Sequence, residues 1–234
     1  MTIDLDLTSA ERPRDVVTAA GRWLAEALDG FDWLSSRRLL RRRVGALTHQ
    51  VALSPSSYNR AGESIMVWTY VGARDAAYGL WRAAHPDLVT APEVRTDLYC
   101  AHMLGYATGR ANGYTYGSSE DGDIDLTDPG SRGAALEAFV AKVREGVLPW
   151  FDEASDPDRI VDSVPGRRTT RPVSVVEWLA SRDRLDLIDA YAERFRNPPD
   201  RWEAGVTLAK SGAPAPGMGD DLKSMGWSVT RILG

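Results

Sequence analysis

Residues 51–71, VALSPSSYNRAGESIMVWTYV, decide the fold of this 234-residue chain. Val51 and Leu53 alternate with smaller side chains, and a loop rich in serine, proline and glycine follows them. Ile65 then opens a second alternating run that continues to Val71. Alternation with a period of two is typical of half-buried strands. Because the loop is too long for a tight hairpin, the stretch predicts two antiparallel strands joined by a surface loop.

Helices are predicted on both sides of this strand region. An apolar stripe at helical spacing runs through residues 16–28 behind a capping box at residues 8–11, and we expect this helix to end at Gly30. A second stripe runs through residues 136–147, and Pro149 is predicted to stop it. We expect these two amphipathic helices to cover the sheet.

The remaining segments extend this plan. Residues 76–84 predict a short helix, residues 98–102 a strand, and residues 113–117 a short strand framed by glycines. Residues 156–234 predict a tail of short helices. The predicted fold is therefore α+β, an antiparallel sheet covered by two amphipathic helices with a C-terminal tail of short helices. The predicted division is an α+β domain over 1–155 and a helical extension over 156–234 packed on it.

Composition narrows the classes of protein to consider. Hydrophobic residues make up 43% and charged residues 26% of the chain, which is typical of globular proteins. The net charge of −5 gives no global attraction to nucleic acid or to an anionic membrane, so nucleic acid is an unlikely partner and membrane contact is not expected. One cysteine and the lack of an apparent export signal predict a cytoplasmic location.

The most unusual local feature is a group of five arginines within seven residues. Guanidinium groups suit carboxylate and phosphate ligands, so this group is the candidate anion-binding or partner-binding site. On a strand these side chains would divide between two faces, and a solvated edge that discourages strand pairing is the competing interpretation. The five residues are Arg37, Arg38, Arg41, Arg42 and Arg43.

An alternative site uses His49, Cys100 and His102. A cysteine nucleophile needs a nearby histidine to form its thiolate, and His102 lies two residues away. The spacing of these residues matches no metal-binding motif, so neither a metal nor a cofactor is expected.

Residues 121–125, DGDID, resemble the start of a calcium loop, but Leu126 and Arg132 stand where that loop needs glycine and glutamate. We interpret them as a solvated acidic turn.

Short matches also give the chain a resemblance to a known family. The pair Gly30-Phe31, the run 48–51 (THQV), the strand end Val71-Gly72 and the run 147–152 (VLPWFD) resemble a family of bacterial domains of unknown function, the one numbered 4304. The resemblance covers about the first two-thirds of the chain. It implies a fold type and no catalytic residue.

Taken together, these observations favour a non-enzymatic binding module, an accessory or immunity-like protein that engages another protein. The sequence supplies strands and aromatic residues, while its reactive side chains form no recognised catalytic motif. The alternative is a small enzyme that acts on an anionic or nucleic-acid substrate with His49, Cys100 or His102. The two hypotheses predict different surroundings for these residues: apolar packing for the first and an open cleft for the second.

Overall fold

The computed structural model describes residues 5–109, 124–216 and 219–234. The predicted strand 113–117 and the first part of the acidic turn at 121–125 lie outside these residues.

The described residues form twelve α-helices and six β-strands. The helices are α1 (Leu5–Ser9), α2 (Pro13–Ala27), α3 (Ala76–Ala84), α4 (Leu104–Ala107), α5 (Arg132–Lys142), α6 (Leu148–Ala154), α7 (Pro157–Ile160), α8 (Val164–Arg168), α9 (Pro172–Ser181), α10 (Leu185–Ala192), α11 (Pro199–Lys210) and α12 (Asp221–Leu233). The strands are β1 (Phe31–Leu34), β2 (Leu39–Val44), β3 (Leu47–Pro55), β4 (Met66–Asp75), β5 (Leu98–Met103) and β6 (Ile124–Asp125).

The strands form one antiparallel sheet, which confirms the predicted α+β class. Its order is β1-β2-β3-β4-β5, and β6 pairs with β4. The first three strands follow one another as a meander, in which Phe31 pairs with Arg42 and Arg42 pairs with His49. Residues one position apart along a strand face opposite sides, so this register places Phe31, Arg42 and His49 on one face.

The chain divides into two compact units, each built from two separate segments. The first contains Met1–Gly72 and His102–Asp152, and the second contains Ala73–Ala101 and Glu153–Gly234. The predicted division at 155/156 places residues 73–101 with the first unit, whereas their contacts group them with the C-terminal helices. The polar contacts described below for the second unit account for this grouping.

In the first unit, α2 packs on the sheet face that carries Phe31 and His49. Its apolar stripe, including Val16, Ala20 and Leu24, is buried. A Cβ added at Gly21 would lie 2.3 Å from the Trp33 ring, so glycine lets the helix approach β1 closely. Burial of this stripe is the principal stabilising term for the helix, because isolated helices of this length are marginal in water.

The start of α2 differs from the predicted capping box. Thr8 and Ser9 belong to the separate helix α1, and α2 begins after Arg12, which provides no side-chain cap. Pro13 takes the first helical position, where its missing N–H costs no hydrogen bond and its fixed φ suits the helix. The helix also ends at Ala27, three residues before the predicted end at Gly30.

Pro149 does not stop the second covering helix as predicted. After α5 the chain makes a π-helical turn over Val143–Val147 and continues directly into α6, where Pro149 is the second residue. A proline is tolerated in the first turn of a helix, and the π turn interrupts the regular bonding pattern just before it. The aromatic pair Trp150-Phe151 is thereby carried into the interior of the first unit.

The second unit is organised around two buried carboxylates. Glu177 on α9 is fully buried, forms an ion pair with Arg82, and accepts hydrogen bonds from Tyr78 Oη at 2.8 Å and from the Thr90 backbone N–H at 2.8 Å. Arg82 also donates to the Thr90 carbonyl at 2.8 Å. These bonds fasten the segment after α3 to α9, which explains why residues 73–101 group with the C-terminal helices.

Asp75 is the other buried carboxylate of this unit. Its side chain caps α3 by accepting from the Ala77 N–H at 2.9 Å, accepts from Trp178 Nε1 at 2.9 Å, and forms an ion pair with Arg182. A cap of this kind satisfies an amide that the helix itself leaves unpaired. Asp75 therefore starts α3 and ties it to α9 at the same time.

The predicted tail of short helices is confirmed in residues 157–233. Its last two long helices, α11 and α12, cross at glycines, since a Cβ on Gly205 would lie 2.0 Å from the Lys223 carbonyl oxygen. Within the described part of the chain, no helix combines the length and the apolar character that a membrane span requires.

Candidate anion-binding site

His102 lies in the interior of the first unit and makes two hydrogen bonds there. Trp150 Nε1 donates to its Nε2 at 2.7 Å, and its Nδ1 lies 2.7 Å from the Met103 carbonyl oxygen. Because an indole nitrogen can only donate, Nε2 is the acceptor and the proton sits on Nδ1. Burial lowers the pKa of His102 to about 4. Together these two hydrogen bonds require the neutral form of the imidazole ring.

His49 belongs to the same aromatic cluster. Its ring stacks on Phe151 with centroids 4.3 Å apart, and Phe151 contacts Trp150 edge to face at 5.3 Å. Burial, reinforced by the charge of Arg42, lowers the pKa of His49 to about 4. The structure therefore brings His49 and His102 to one cluster, where both are 3% exposed or less.

Cys100 lies in the second unit and is fully buried. Its Sγ donates to the Pro165 carbonyl oxygen at 3.3 Å, and burial raises the pKa of the thiol to about 12. A thiol with such a pKa is protonated at neutral pH and is a poor nucleophile.

Among the described residues, no group of three or more His, Cys, Asp or Glu side chains is placed to hold a metal ion.

The five arginines singled out in the sequence do not form one surface. Arg41 and Arg43 point to one side of β2, and Arg41 reaches Asp32 at 3.4 Å. Arg42 points to the opposite side, where it is half-buried beside Gly30 and is paired in register with His49. Arg37 and Arg38 lie in the turn before β2. The strand register therefore places the strand arginines on two faces, as predicted.

One of the five, Arg38, lines a cleft of about 790 Å³ in the first unit. Arg12 and Arg14 line the same cleft, as do the hydroxyl-bearing residues Ser35 and Ser36. We call this the arginine cleft. Its volume lies in the range of small-ligand and side-chain binding pockets, and all three arginines are exposed.

Local backbone structure places these three side chains beside the same cleft. Arg12 and Arg14 flank Pro13 at the first turn of α2, so the helix start fixes their spacing. Arg38 closes the short 3-10 turn Ser35–Arg37 in a left-handed conformation with φ of 51°. That conformation is unfavourable for a residue with a Cβ, and a backbone hydrogen bond from Leu53 N to the Arg38 carbonyl at 2.9 Å holds it.

The arginine cleft carries a net positive charge. No carboxylate in residues 5–109, 124–216 or 219–234 forms an ion pair with Arg12, Arg14 or Arg38. Asp15 lines the cleft as well, so three positive charges face one negative charge. Guanidinium groups present paired N–H donors that match carboxylate or phosphate oxygens, and the two serine hydroxyls add further donors. The cleft is therefore suited to an anionic group.

The position of Arg12 and Arg14 is a signal that sequence reasoning missed. The start of a helix carries a partial positive charge, so cations there are unfavourable and acidic residues are the usual choice. Two arginines around Pro13, just before a long apolar stripe, depart from this preference. An anion bound in the cleft would offset the repulsion. The run Arg12-Pro13-Arg14 could have been found from this argument if the helix start had been placed correctly.

No family model matches the chain, and neither a curated protein nor a solved structure matches it. The resemblance to the bacterial family numbered 4304 accordingly stays a prediction.

Proposed function

We propose that the chain is a binding protein that engages an acidic segment of another protein through the arginine cleft. The observation that carries the proposal is the set of three exposed guanidinium groups, Arg12, Arg14 and Arg38, that line one cleft without an ion pair in the described part of the chain. The guanidinium groups of the cleft are complementary in charge and geometry to a partner with clustered carboxylates.

Two features favour an acidic protein over a nucleic acid. The whole chain has a net charge of −5, which repels a long polyanion beyond the immediate site. The arginine cleft also contains only three arginines, whereas proteins that track a phosphate backbone usually have an extended basic surface. An acidic peptide can place a few carboxylates in the cleft and avoid the rest of the surface.

The buried histidines and cysteine support this proposal over the enzymatic alternative. An acid, a base or a nucleophile must reach its substrate, and His49, Cys100 and His102 are each 3% exposed or less. Hydrogen bonds to Trp150 and Met103 occupy both nitrogens of His102. These residues have roles in packing that need no reaction to explain them.

Charge reversal in the cleft tests the proposal. A fluorescein-labelled octaglutamate peptide is titrated with the wild type, Arg14→Glu and Arg38→Glu, and binding is followed by fluorescence anisotropy. We expect each substitution to weaken binding by about tenfold or more, because charge-assisted hydrogen bonds are lost and a repulsive charge is gained. Binding by the wild type should also weaken as salt rises, since exposed charges are screened.

The matched control is Arg43→Glu, which makes the same change of charge at an exposed position outside the cleft. We expect it to bind the peptide as the wild type does, to within about twofold, at moderate salt, where distant surface charges are screened. Equal weakening by Arg43→Glu and Arg14→Glu contradicts the proposal. Tighter binding of a labelled octathymidine than of octaglutamate contradicts the choice of an acidic protein as the partner.

A further inference from the structure

The strand β1 lies at one end of the antiparallel sheet. It pairs with β2 on one side, and no other strand in the described part of the chain pairs with its outer edge. The edge of β5, at the other end of the sheet, is bonded to a neighbouring segment: the Ala101 carbonyl accepts from the Thr170 N–H at 2.8 Å, and the Ala101 N–H donates to Thr169 Oγ1 at 3.3 Å. An edge without such partners offers its backbone groups to a further strand.

The hydrogen bonds of the sheet determine which backbone groups of β1 face the outer edge. In an antiparallel pair, residues alternate between those whose N–H and C=O bond to the partner strand and those whose groups point away from it. The Arg38 carbonyl, just before β2, accepts from Leu53 N at 2.9 Å and so points toward β3. Its neighbour Leu39 therefore bonds in the other direction, to its partner Leu34 on β1.

The outward groups of β1 follow from this alternation. Because Leu34 bonds to β2, Trp33 points outward, and Phe31, two residues earlier, does so as well. The Phe31 N–H agrees with this assignment, since it donates to the Leu28 carbonyl at 3.1 Å, away from β2. The N–H and C=O of Trp33 and the C=O of Phe31 thus face the outer edge, where no hydrogen bond within the described residues uses them.

The outer edge of β1 leads directly to the arginine cleft. β1 ends at Leu34, and the next two residues, Ser35 and Ser36, line the cleft together with its three arginines. Asp32 is exposed, and Trp33 and Leu34 are partly exposed, so the strand lies at the surface. A strand added to β1 would therefore bring one of its ends to three guanidinium groups.

The direction of an added strand decides which of its ends reaches the cleft. β1 pairs antiparallel with β2, and β2 pairs antiparallel with β3. A strand that continues this pattern runs opposite to residues 31–34, so its N-terminal end lies beside Ser35. The residues that reach the arginine cleft are then those just before the extended segment.

We propose that β1 accepts an extended segment of the partner protein as an additional antiparallel strand, and that acidic residues just before this segment bind in the arginine cleft. The proposal rests on the proposed function, which supplies the cleft, and it adds the mode of binding and the order of the recognised residues. Backbone hydrogen bonds to Phe31 and Trp33 contribute affinity with little dependence on side chains, while the cleft selects for acidic residues.

Alternate N-methylation of a peptide tests strand addition. A fluorescein-labelled peptide of three glutamates followed by Thr-Val-Thr-Val is titrated with the full chain, as are versions N-methylated at both threonines or at both valines. Alternate amides of a strand face opposite sides, so only one of the two versions loses bonds to β1. We expect that version to bind about tenfold more weakly or worse, and the other to bind within about twofold of the unmethylated peptide. Equal affinities of the two methylated peptides overturn the proposal.

A peptide of reversed order is the matched control for direction. Thr-Val-Thr-Val followed by three glutamates has the same composition and charge, but an antiparallel strand of this order places its glutamates at the end away from the cleft. We expect it to bind about fivefold more weakly or worse. Equal or tighter binding of the reversed peptide overturns antiparallel addition.

Amide hydrogen exchange measured by NMR tests strand addition on the protein. In the free chain, we expect rapid exchange at Trp33, whose N–H points outward, and slow exchange at Asp32 and Leu34, which bond to β2. Saturation with the unmethylated peptide should slow exchange at Trp33 by about tenfold or more. Unchanged exchange at Trp33 overturns the proposal. A free chain that sediments as a dimer with Trp33 already protected overturns it too, because a second copy then occupies the edge.

The proposed function and strand addition fail by different results. Octaglutamate has no segment that favours a strand, so its binding reports on the cleft alone. Octaglutamate binding that Arg14→Glu weakens, together with equal affinities of the two methylated peptides, supports the cleft and overturns strand addition. A wild type that does not bind octaglutamate overturns the proposed function, whereas protection of Trp33 by the longer peptide supports strand addition.

Discussion

At the residue scale, the first unit keeps two histidines neutral by removing them from water. His102 is held between an indole donor and a carbonyl acceptor, and His49 is stacked on Phe151. Burial lowers the pKa of each imidazole to about 4, compared with the usual value of 6.5. Protonation of either ring in the folded state would place a charge in an aromatic environment and, for His102, would replace the acceptor that Trp150 needs.

This shift links the stability of the protein to pH. Above pH 6.5 both histidines are neutral in the folded and unfolded states, so their contribution is fully retained. As the pH falls from 6.5 towards 4, the unfolded state binds protons that the folded state does not, and stability falls by about 1.4 kcal/mol per pH unit for each histidine. We expect His102→Gln to reduce the change in the free energy of unfolding per pH unit by about the contribution of one histidine. Urea unfolding at pH 7, 6 and 5 measures the slope, and an unchanged slope in the variant contradicts the assignment.

At the element scale, glycines set the distance between the last two long helices. Gly205 on α11 lies against the Lys223 carbonyl, and Gly226 on α12 lies against the Trp202 carbonyl. Such a crossing brings the two backbones together, and the large side chains Trp202 and Trp227 are buried beside it. The packing therefore depends on two positions that have no side chain.

Gly205→Ala should destabilise the protein. The added Cβ would lie 2.0 Å from the Lys223 carbonyl oxygen and 2.8 Å from the Trp227 amide nitrogen, so the helices must move apart. We expect a loss of about 3 kcal/mol in the free energy of unfolding, which is at the upper end of the usual cost of overpacking. Gly133→Ala on α5 is the matched control, because no atom lies within 4 Å of its added Cβ. Urea unfolding of both variants checks the difference, and equal stability would exclude close contact at the α11–α12 crossing.

At the scale of the whole molecule, each compact unit is assembled from segments that are distant in sequence. Residues 73–101 form the second unit with residues 153–234, and buried ion pairs are among the contacts that join these segments. Glu177 and Asp75, both fully buried, pair with Arg82 and Arg182 across about a hundred residues. Removing one partner of a buried ion pair leaves an uncompensated charge, which is strongly destabilising.

A fragment of residues 1–155 distinguishes this arrangement from the division predicted from the sequence. In the fragment, Tyr78 and Arg82 lack Glu177, and Asp75 lacks Trp178 and Arg182. We expect peptides from residues 76–97 to lose protection from hydrogen exchange relative to the full chain, because their buried polar contacts are gone. Peptides from β2 and β3 should keep more of their protection. Hydrogen–deuterium exchange with mass spectrometry measures both, and full protection of residues 76–97 in the fragment would support the boundary at 155/156.

Local patterns in the sequence were sufficient for many of the elements of the fold. The alternation at residues 65–71 predicted β4, and helical spacing predicted α2 and the stripe of α5. The short helix expected over residues 76–84 is α3, and the prolines and short stripes after residue 156 predicted the helical tail. These patterns report the periodicity of side chains along one segment, and burial of one face follows from that periodicity. The start of α2 and the role of Pro149 were wrong, because caps and π turns depend on a few backbone bonds that periodicity does not reveal.

The candidate site depended on the tertiary structure. The sequence by itself determined that arginines near residue 38 were unusual and that the reactive residues matched no motif. It did not determine that Arg38 shares a cleft with Arg12 and Arg14. Likewise, only the structure decided that residues 73–101 join the C-terminal helices. Both outcomes rest on contacts between residues far apart in the chain, and short-range sequence patterns contain no information about such contacts.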